Sequence, residues 1–206
     1  MEDGFGTIDQ SRASDRVSAD LVRCLFGADW FELLDATRTP SVDCLCGENH
    51  VLAKFAGMGS ATTFPVETLV FAAIAMASMA VTDGLVIDCP DRVAQVFSLY
   101  GEKVGFYGDD AIVPAAYVDS VSADYERFGF IINREKSYAF GPFKESCGVY
   151  SFEGVDVTPV RRKRLLSTGS DAVSIAAATS FYNGIVMRWI GQDNDEAFIY
   201  LTDCLS

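Results

Sequence analysis

The chain has 206 residues, half of them apolar, and carries 16 basic side chains against 29 acidic ones. That length buries a core without disulfide staples, and the apolar content excludes a disordered chain. The uncharged apolar stretch Thr68 to Thr82 has 15 residues, short of a membrane span, and Met1 opens no basic-then-apolar signal pattern, so neither membrane insertion nor secretion is expected.

The net charge of −13 speaks against a basic field for polyanions. The charge is uneven, however. Residues 1–160 hold 11 basic and 24 acidic side chains, whereas residues 161–206 hold 5 of each, including the run Arg161-Arg162-Lys163-Arg164. That run reads either as a phosphate contact or as a solvated helix start. The six cysteines form no CxxC pair and His50 is the single histidine, so a zinc site is not expected and the thiols read as core residues of a reducing cytosol.

In chain order, Gly4-Phe-Gly-Thr-Ile-Asp9 reads as a short strand. A helix follows, with Ala13, Val17, Leu21 and Leu25 every fourth residue and Ser11 or Ser14 as its cap. A second helix is predicted over Trp30 to Ala36. Val42 to Cys46 and His50 to Phe55 flank Gly47-Glu-Asn49 as a hairpin with a three-residue loop. Beyond the loop Ala56-Gly-Met-Gly-Ser-Ala61 comes a long buried helix, Thr63 to Val81, then a shorter one near Arg92 to Ser98.

Lys103 to Tyr107 and Ala111 to Val113 are short apolar strands joined across Gly108-Asp109-Asp110. The helix predicted over Val118 to Phe128 places Val118, Val121, Tyr125 and Phe128 on one side. Val149 to Phe152 and Val155 to Val157 form a hairpin turning at Glu153-Gly154, and Asp171 to Trp189 is again helical. Strands and helices interleave without a regular βαβ repeat, so the expected class is α+β.

Asp109 and Asp110 are adjacent carboxylates at a hairpin tip between apolar strands. A solvated turn accounts for such a pair as readily as a site does. What favours a site is Asp9, 100 residues earlier, which also ends a strand just before a helix. If the two strands are neighbours, Asp9, Asp109 and Asp110 form an oxygen donor set for two Mg²⁺ ions, with Mn²⁺ as a substitute. Such a pair of ions serves in-line phosphoryl displacement and cancels the local acid excess.

Several ordered blocks then carry a family resemblance. Gly6-Thr-Ile-Asp-Gln-Ser-Arg-Ala-Ser-Asp15 resembles motif A of viral RNA-dependent RNA polymerases, Met58-Gly-Ser-Ala-Thr-Thr-Phe-Pro-Val-Glu67 motif B, and Tyr107-Gly-Asp-Asp110 motif C. Gly129-Phe-Ile-Ile-Asn-Arg-Glu-Lys136, Gly141-Pro-Phe-Lys-Glu-Ser-Cys-Gly148 and Gly154-Val-Asp-Val-Thr-Pro159 are similar to the next segments. Over about residues 4–165 the pattern is most similar to replicase catalytic subunits of single-stranded RNA bacteriophages, the levivirus type.

The resemblance implies a palm over residues 1–160, a small antiparallel sheet backed by helices, and the start of a helical thumb over 161–206, with the fingers largely absent. It implies Asp9 and Asp109 as principal metal ligands with Asp110 a third. Asp15 is implied to read the ribose 2′-hydroxyl, although a first-turn acid facing the helix dipole explains it too. Gly59 and Thr63 match motif B. Ser60 stands where the phage family carries Asn, which replaces an amide by a hydroxyl at the nucleotide, and Glu67 matches the phage pattern.

Lys136 matches a basic residue placed to protonate pyrophosphate, and reads equally as an exposed lysine. Lys144, Ser146 and Cys147 match the primer-side hairpin, with Cys147 read as a packing residue. The implied partners are RNA template and product, nucleoside triphosphates, and host elongation factors with a ribosomal protein, in the cytoplasm of a bacterial host and without a membrane. A truncated palm that binds RNA or a partner without turnover is the alternative. A reverse-transcriptase palm is disfavoured by Asp15, where DNA-making enzymes place a bulky residue, and by Gly108.

Overall fold

In a computed structural model of the chain, residues 4–45, 47–161 and 172–189 are described. Cys46, Arg162 to Arg164, Asp171 and Cys204 lie outside them. Two compact units divide the chain, residues 1–157 and 158–206. Helices and small antiparallel sheets alternate irregularly, as expected for α+β.

The central sheet has three antiparallel strands in the order β1 (Phe5–Ile8), β5 (Asp110–Pro114), β4 (Gly105–Tyr107). β5 alternates, with Ala111 and Val113 buried between half-buried neighbours as period-2 placement gives, whereas Gly6, Thr7 and Ile8 of β1 are all buried. β1 is paired on its other edge as well, because Thr7 exchanges backbone hydrogen bonds with Tyr138 at 2.9 and 3.1 Å and Ser11 N–H donates to the Ile131 carbonyl at 2.8 Å.

Helix α3 (Thr63–Thr82) is the core helix. By length and composition it is apolar enough to cross a membrane, yet more than half of it is buried within the fold. Val70, Phe71, Ile74 and Met79 meet Val121 and Tyr125 of α5 (Val118–Arg127) in the same cluster. Each such side chain contributes about 1.5–3 kcal/mol by burial. The Phe71 and Tyr125 rings pack edge-on at 5.3 Å, and the buried Tyr125 hydroxyl donates to the Phe71 carbonyl at 3.1 Å.

The helix expected after β1 is broken. α1 covers only Ala13–Arg16, and α2 (Ala19–Asp35) begins after an extended Val17-Ser18 step. The break has a cause: Phe55 N–H donates to the Val17 carbonyl at 2.7 Å and Ala19 N–H to the Ala53 carbonyl at 2.9 Å, so strand-like pairing interrupts the helical ladder. Neither Ser11 nor Ser14 caps a helix; Ser18 does, accepting from Leu21 N–H at 3.1 Å. The expected Trp30 helix is the second half of α2, beyond a kink at Gly27.

The first hairpin, β2 (Ser41–Asp43) with β3 (Asn49–Val51), is shorter than predicted and has the longer loop, because Asn49 pairs with Asp43. Helix α4 (Pro90–Tyr100) and α6 (Ala172–Trp189, in the second unit) lie where the sequence placed them. A strand not foreseen, β6 (Phe143–Ser146), joins β7 (Val149–Phe152) and β8 (Val155–Asp156) in a second three-stranded sheet. The described cysteines Cys24, Cys44, Cys89 and Cys147 are exposed, which corrects the expectation of core thiols. Phe128 is also exposed, because α5 ends one residue before it.

Gly6 sits where β1 is crowded from two sides. A Cβ there would overlap Val118 Cγ2 and press on Ala139 Cα and the Tyr138 oxygen at 3.2 Å, while at Gly4 nothing lies within 4 Å. Gly6→Ala is therefore expected to cost about 1–3 kcal/mol, as overpacked cores do, and Gly4→Ala close to nothing, measured by urea denaturation.

Candidate active site

The register of the central sheet brings the acids together. Ile8 pairs with Ala111 and Tyr107 with Asp110, so the next step of the β1–β5 ladder sets Asp9 opposite Asp110. Asp110 opens β5 and closes a two-residue turn, Gly108-Asp109, which leaves Asp109 beside them. All three acids are partly buried, not solvated at a protruding tip.

Their carboxyls act on one another. Burial raises the Asp9 pKa above its ordinary value, an Asn133 hydrogen bond and the charge of Lys136 oppose the rise, and Asp110 adds to it. Burial also raises the Asp109 pKa, a backbone hydrogen bond opposes it, Asp110 and Asp9 add to it, and Lys136 lowers it. The structure thus gathers Asp9, Asp109, Asp110 and Lys136 within electrostatic reach. Among the described residues no three acids, histidines or cysteines form a ready metal cage. The donor set nonetheless suits a hard divalent cation, because three carboxylate groups crowd one sheet edge with Lys136 as the cation acting on two of them.

Each acid is fixed by its neighbours. Asp9 N–H donates to Ser137 Oγ at 3.0 Å, and the Asp9 carbonyl accepts from Asn133 N–H at 2.9 Å. Gly108 has φ +63°, and a Cβ there would overlap the Phe64 ring, so both backbone and packing demand glycine. Gly108 N–H donates to Thr68 Oγ1 at 2.9 Å, and the Phe64 ring packs edge-on against Tyr107 at 4.7 Å. Thus α3 clamps the turn that carries Asp109.

Cys147 N–H donates to Asp110 Oδ2 at 3.0 Å from the β6–β7 turn, where Cys147 has φ +52°. This contact replaces the packing role read for Cys147; an exposed Cys-Gly pair between two strands was the available turn signal. Asn133, Ser137, Thr68 and Phe64 likewise went unassigned in the sequence, because their roles arise from contacts 40 to 128 residues away.

Within motif B, Gly59, Ser60 and Thr63 serve the loop that leads into α3. Gly59 has φ +96° with open space at its Cβ position, which suits close approach by a ligand. Thr63 is buried and its hydroxyl donates to the Gly57 carbonyl at 2.7 Å, shaping the loop from within. Ser60 Oγ lies 3.3 Å from Thr62 Oγ1. No contact joins Gly59, Ser60 or Thr63 to the three acids among the described residues.

Asp15 pairs with Lys54 Nζ at 2.5 Å, and that hydrogen bond and charge hold its carboxyl below the usual range. Lys144 Nζ donates to the Tyr138 and Ala139 carbonyls at 3.2 and 3.3 Å, tying β6 to the segment beside β1.

Glu67 is 5% exposed on α3, and burial together with the charge of Asp109 raises its pKa to about 7. A raised carboxyl pKa means that the native state holds a proton the unfolded chain releases. Stability should therefore fall as pH rises from 4.5 toward 7, by on the order of 3 kcal/mol, and Glu67→Gln should flatten that slope in denaturation titrations with chelator present.

Comparison with known proteins places this geometry in a family. Residues 1–185 match the family model described as RNA replicase, beta-chain. The chain is 31% identical over 175 residues to the RNA-directed RNA polymerase subunit beta of Escherichia virus Qbeta, covering 85% of this chain and 27% of that protein. It is 34% identical over 171 residues to the corresponding subunit of Enterobacteria phage SP, covering 83% and 27%. The RNA-directed RNA polymerase beta chain of Escherichia phage MS2 is 30% identical over 164 residues, covering 80% and 27%. The chain thus spans 27% of the length of each of these relatives. A family-model match over residues 1–185, with relatives 31 and 34% identical over most of the chain, makes this protein a member of the RNA replicase beta-chain family.

Proposed function

We propose that residues 1–160 are the palm of a template-directed RNA polymerase and that residues 161–206 begin its thumb. The observation that carries this reading is the meeting of Asp9 with Asp109 and Asp110, 100 residues apart in sequence, on one sheet edge beside Lys136. These three acids are the residues that would hold two Mg²⁺ ions, or Mn²⁺ in their place. Bound there, the metal would neutralise the triphosphate and activate an RNA 3′-hydroxyl for in-line displacement of pyrophosphate.

The chain's own residues do the rest. Asn133 and Ser137 hold the Asp9 end of β1 in place, and Phe64 and Thr68 hold the Asp109 turn. Lys136 keeps a cation beside Asp9 and Asp109, where it offsets their repulsion and stands ready to protonate a leaving phosphate. Asp15, kept ionised by Lys54, is an acceptor for the ribose 2′-hydroxyl. Gly59, Ser60 and Thr63 shape the loop on which a nucleotide or template rests. RNA, nucleoside triphosphates and host translation factors are the partners this reading entails, inside the bacterial host.

A palm that binds RNA or a partner without turnover is the second reading.

Calorimetry with Mg²⁺ or Mn²⁺ tests the site directly. Millimolar or tighter binding lost in both Asp9→Asn and Asp109→Asn is the expected result, and binding indifferent to either change removes that residue. With the chain extended to the relatives' full length, Asp109→Asn should abolish nucleotide incorporation, while persistent RNA binding without incorporation in the unmutated extended chain would favour the second reading. Asp15→Ala should lower the preference for ribonucleotides over deoxyribonucleotides by roughly 10- to 100-fold, the worth of a hydrogen bond to a charged group.

A further inference from the structure

We propose that Lys54 determines sugar specificity as a positioning residue, aiming one oxygen of the Asp15 carboxylate at the substrate from behind. The sugar role rests on the polymerase reading; the aiming itself does not.

Lys54 reaches Asp15 because the backbone brings it there. Phe55 N–H donates to the Val17 carbonyl at 2.7 Å and Ala19 N–H to the Ala53 carbonyl at 2.9 Å, which sets Ser18 and Lys54 opposite each other in an antiparallel bridge. Residues facing each other across such a bridge project to the same side, with Cβ atoms about 4.5–5.5 Å apart. Asp15 lies on the single turn of α1, just ahead of Ser18, within reach of the four-carbon lysine stem. The segment is anchored against sliding, because Phe55 and Ala56, which follow, are 2% and 0% exposed.

The contact has a direction. Lys54 Nζ donates to Asp15 Oδ1 at 2.5 Å, and among the described residues no hydrogen bond reaches Oδ2. A carboxylate accepts at both oxygens, so one is held and the other is left for a hydroxyl. Asp15 lines a cleft of about 410 Å³ together with Arg12, Arg16, Ser18, Phe128 and Gly129, and Lys54 is not part of that lining. The lysine thus grips the carboxylate from outside the cleft. The motif B hydroxyls do not share the task, since Ser60 Oγ lies 3.3 Å from Thr62 Oγ1 and Thr63 donates to the Gly57 carbonyl.

Stability is a poor explanation for the pair. The two side chains are 31% and 48% exposed, and ion pairs that solvent reaches add little to a fold. What the pair fixes is orientation. An aspartate carboxyl otherwise turns freely about its last torsion, and a catalyst gains when a group is held in its working direction beforehand. The lysine, with a smaller contribution from Arg12, also keeps the carboxyl ionised, so that it accepts and does not donate.

Two measurements test this. In the 206-residue chain, carbon-detected NMR titration of the Asp15 carboxyl should move up toward the ordinary range in Lys54→Met and return in Lys54→Arg. In the chain extended to the relatives' full length, the preference for ribonucleotides over deoxyribonucleotides, as a ratio of kcat/KM values, should fall roughly three- to tenfold in Lys54→Met, part of the loss expected for Asp15→Ala. Lys54→Arg should keep most of the preference. Added to Asp15→Ala, Lys54→Met should lower it no further, because the lysine acts through that acid.

Thermal melts identify any variant that fails to fold, and Lys54→Ala carries the same expectations if Lys54→Met does. An Asp15 titration unmoved by Lys54→Met overturns the proposal. So does a preference unchanged in Lys54→Met while Asp15→Ala lowers it, and that result leaves the polymerase reading standing. A preference that rises in Lys54→Met makes the lysine a competitor for Asp15 and overturns the proposal as well. If neither substitution changes the preference, or the extended chain incorporates no nucleotide, the sugar role falls together with the reading on which it rests.

Discussion

The double pairing of β1 is the constraint on which the site depends. One edge of that strand is zipped to β5, and the other exchanges hydrogen bonds with the segment around Ile131 to Tyr138. Because side chains alternate with period 2, a one-residue slip on either edge would turn Asp9 into the core and Ile8 out of it. Two independent ladders make that slip doubly costly. The same pairing brings Asn133, Ser137 and Lys136 to the Asp9 side, so the anchor of the strand is also the environment of its carboxyl.

Like charges gathered in a partly buried place repel, and the fold sustains them by holding their backbones from outside. Gly108 is locked between its own left-handed backbone and the Phe64 ring, with Thr68 accepting its N–H. Cys147 N–H stabilises Asp110 from the hairpin on the other side. Burial, and after it the charge of Asp109, raises the pKa of Glu67 behind the turn to about 7. The cations proposed for this edge would neutralise that repulsion.

The acidic balance of the chain is consistent with handling polyanions once charge is considered locally. The carboxylates concentrate where a cation would sit, and Arg12 and Arg16 stand a few residues away on the same stretch of chain. Net charge describes long-range repulsion, while clusters within a few ångströms decide what binds.

Much of this was legible in the sequence by itself. The long α3, the α5 stripe of Val118, Val121 and Tyr125, the hairpin at Gly108-Asp109, and the acids as a candidate set all follow from local periodicity, turn chemistry and ordered motifs. Those signals depend on neighbours within a few residues, so a single chain reports them. Tertiary structure alone decided the break at Val17-Ser18, where Ala53 and Phe55 capture backbone groups the helix would have used, and the cap at Ser18 that follows from it. It alone decided that β6 pairs with β7, that Cys147 serves Asp110 through its backbone, and that Arg12, Arg16 and Phe128 share a cleft. Each of these rests on hydrogen bonds or packing between distant segments, whose partners no local pattern specifies.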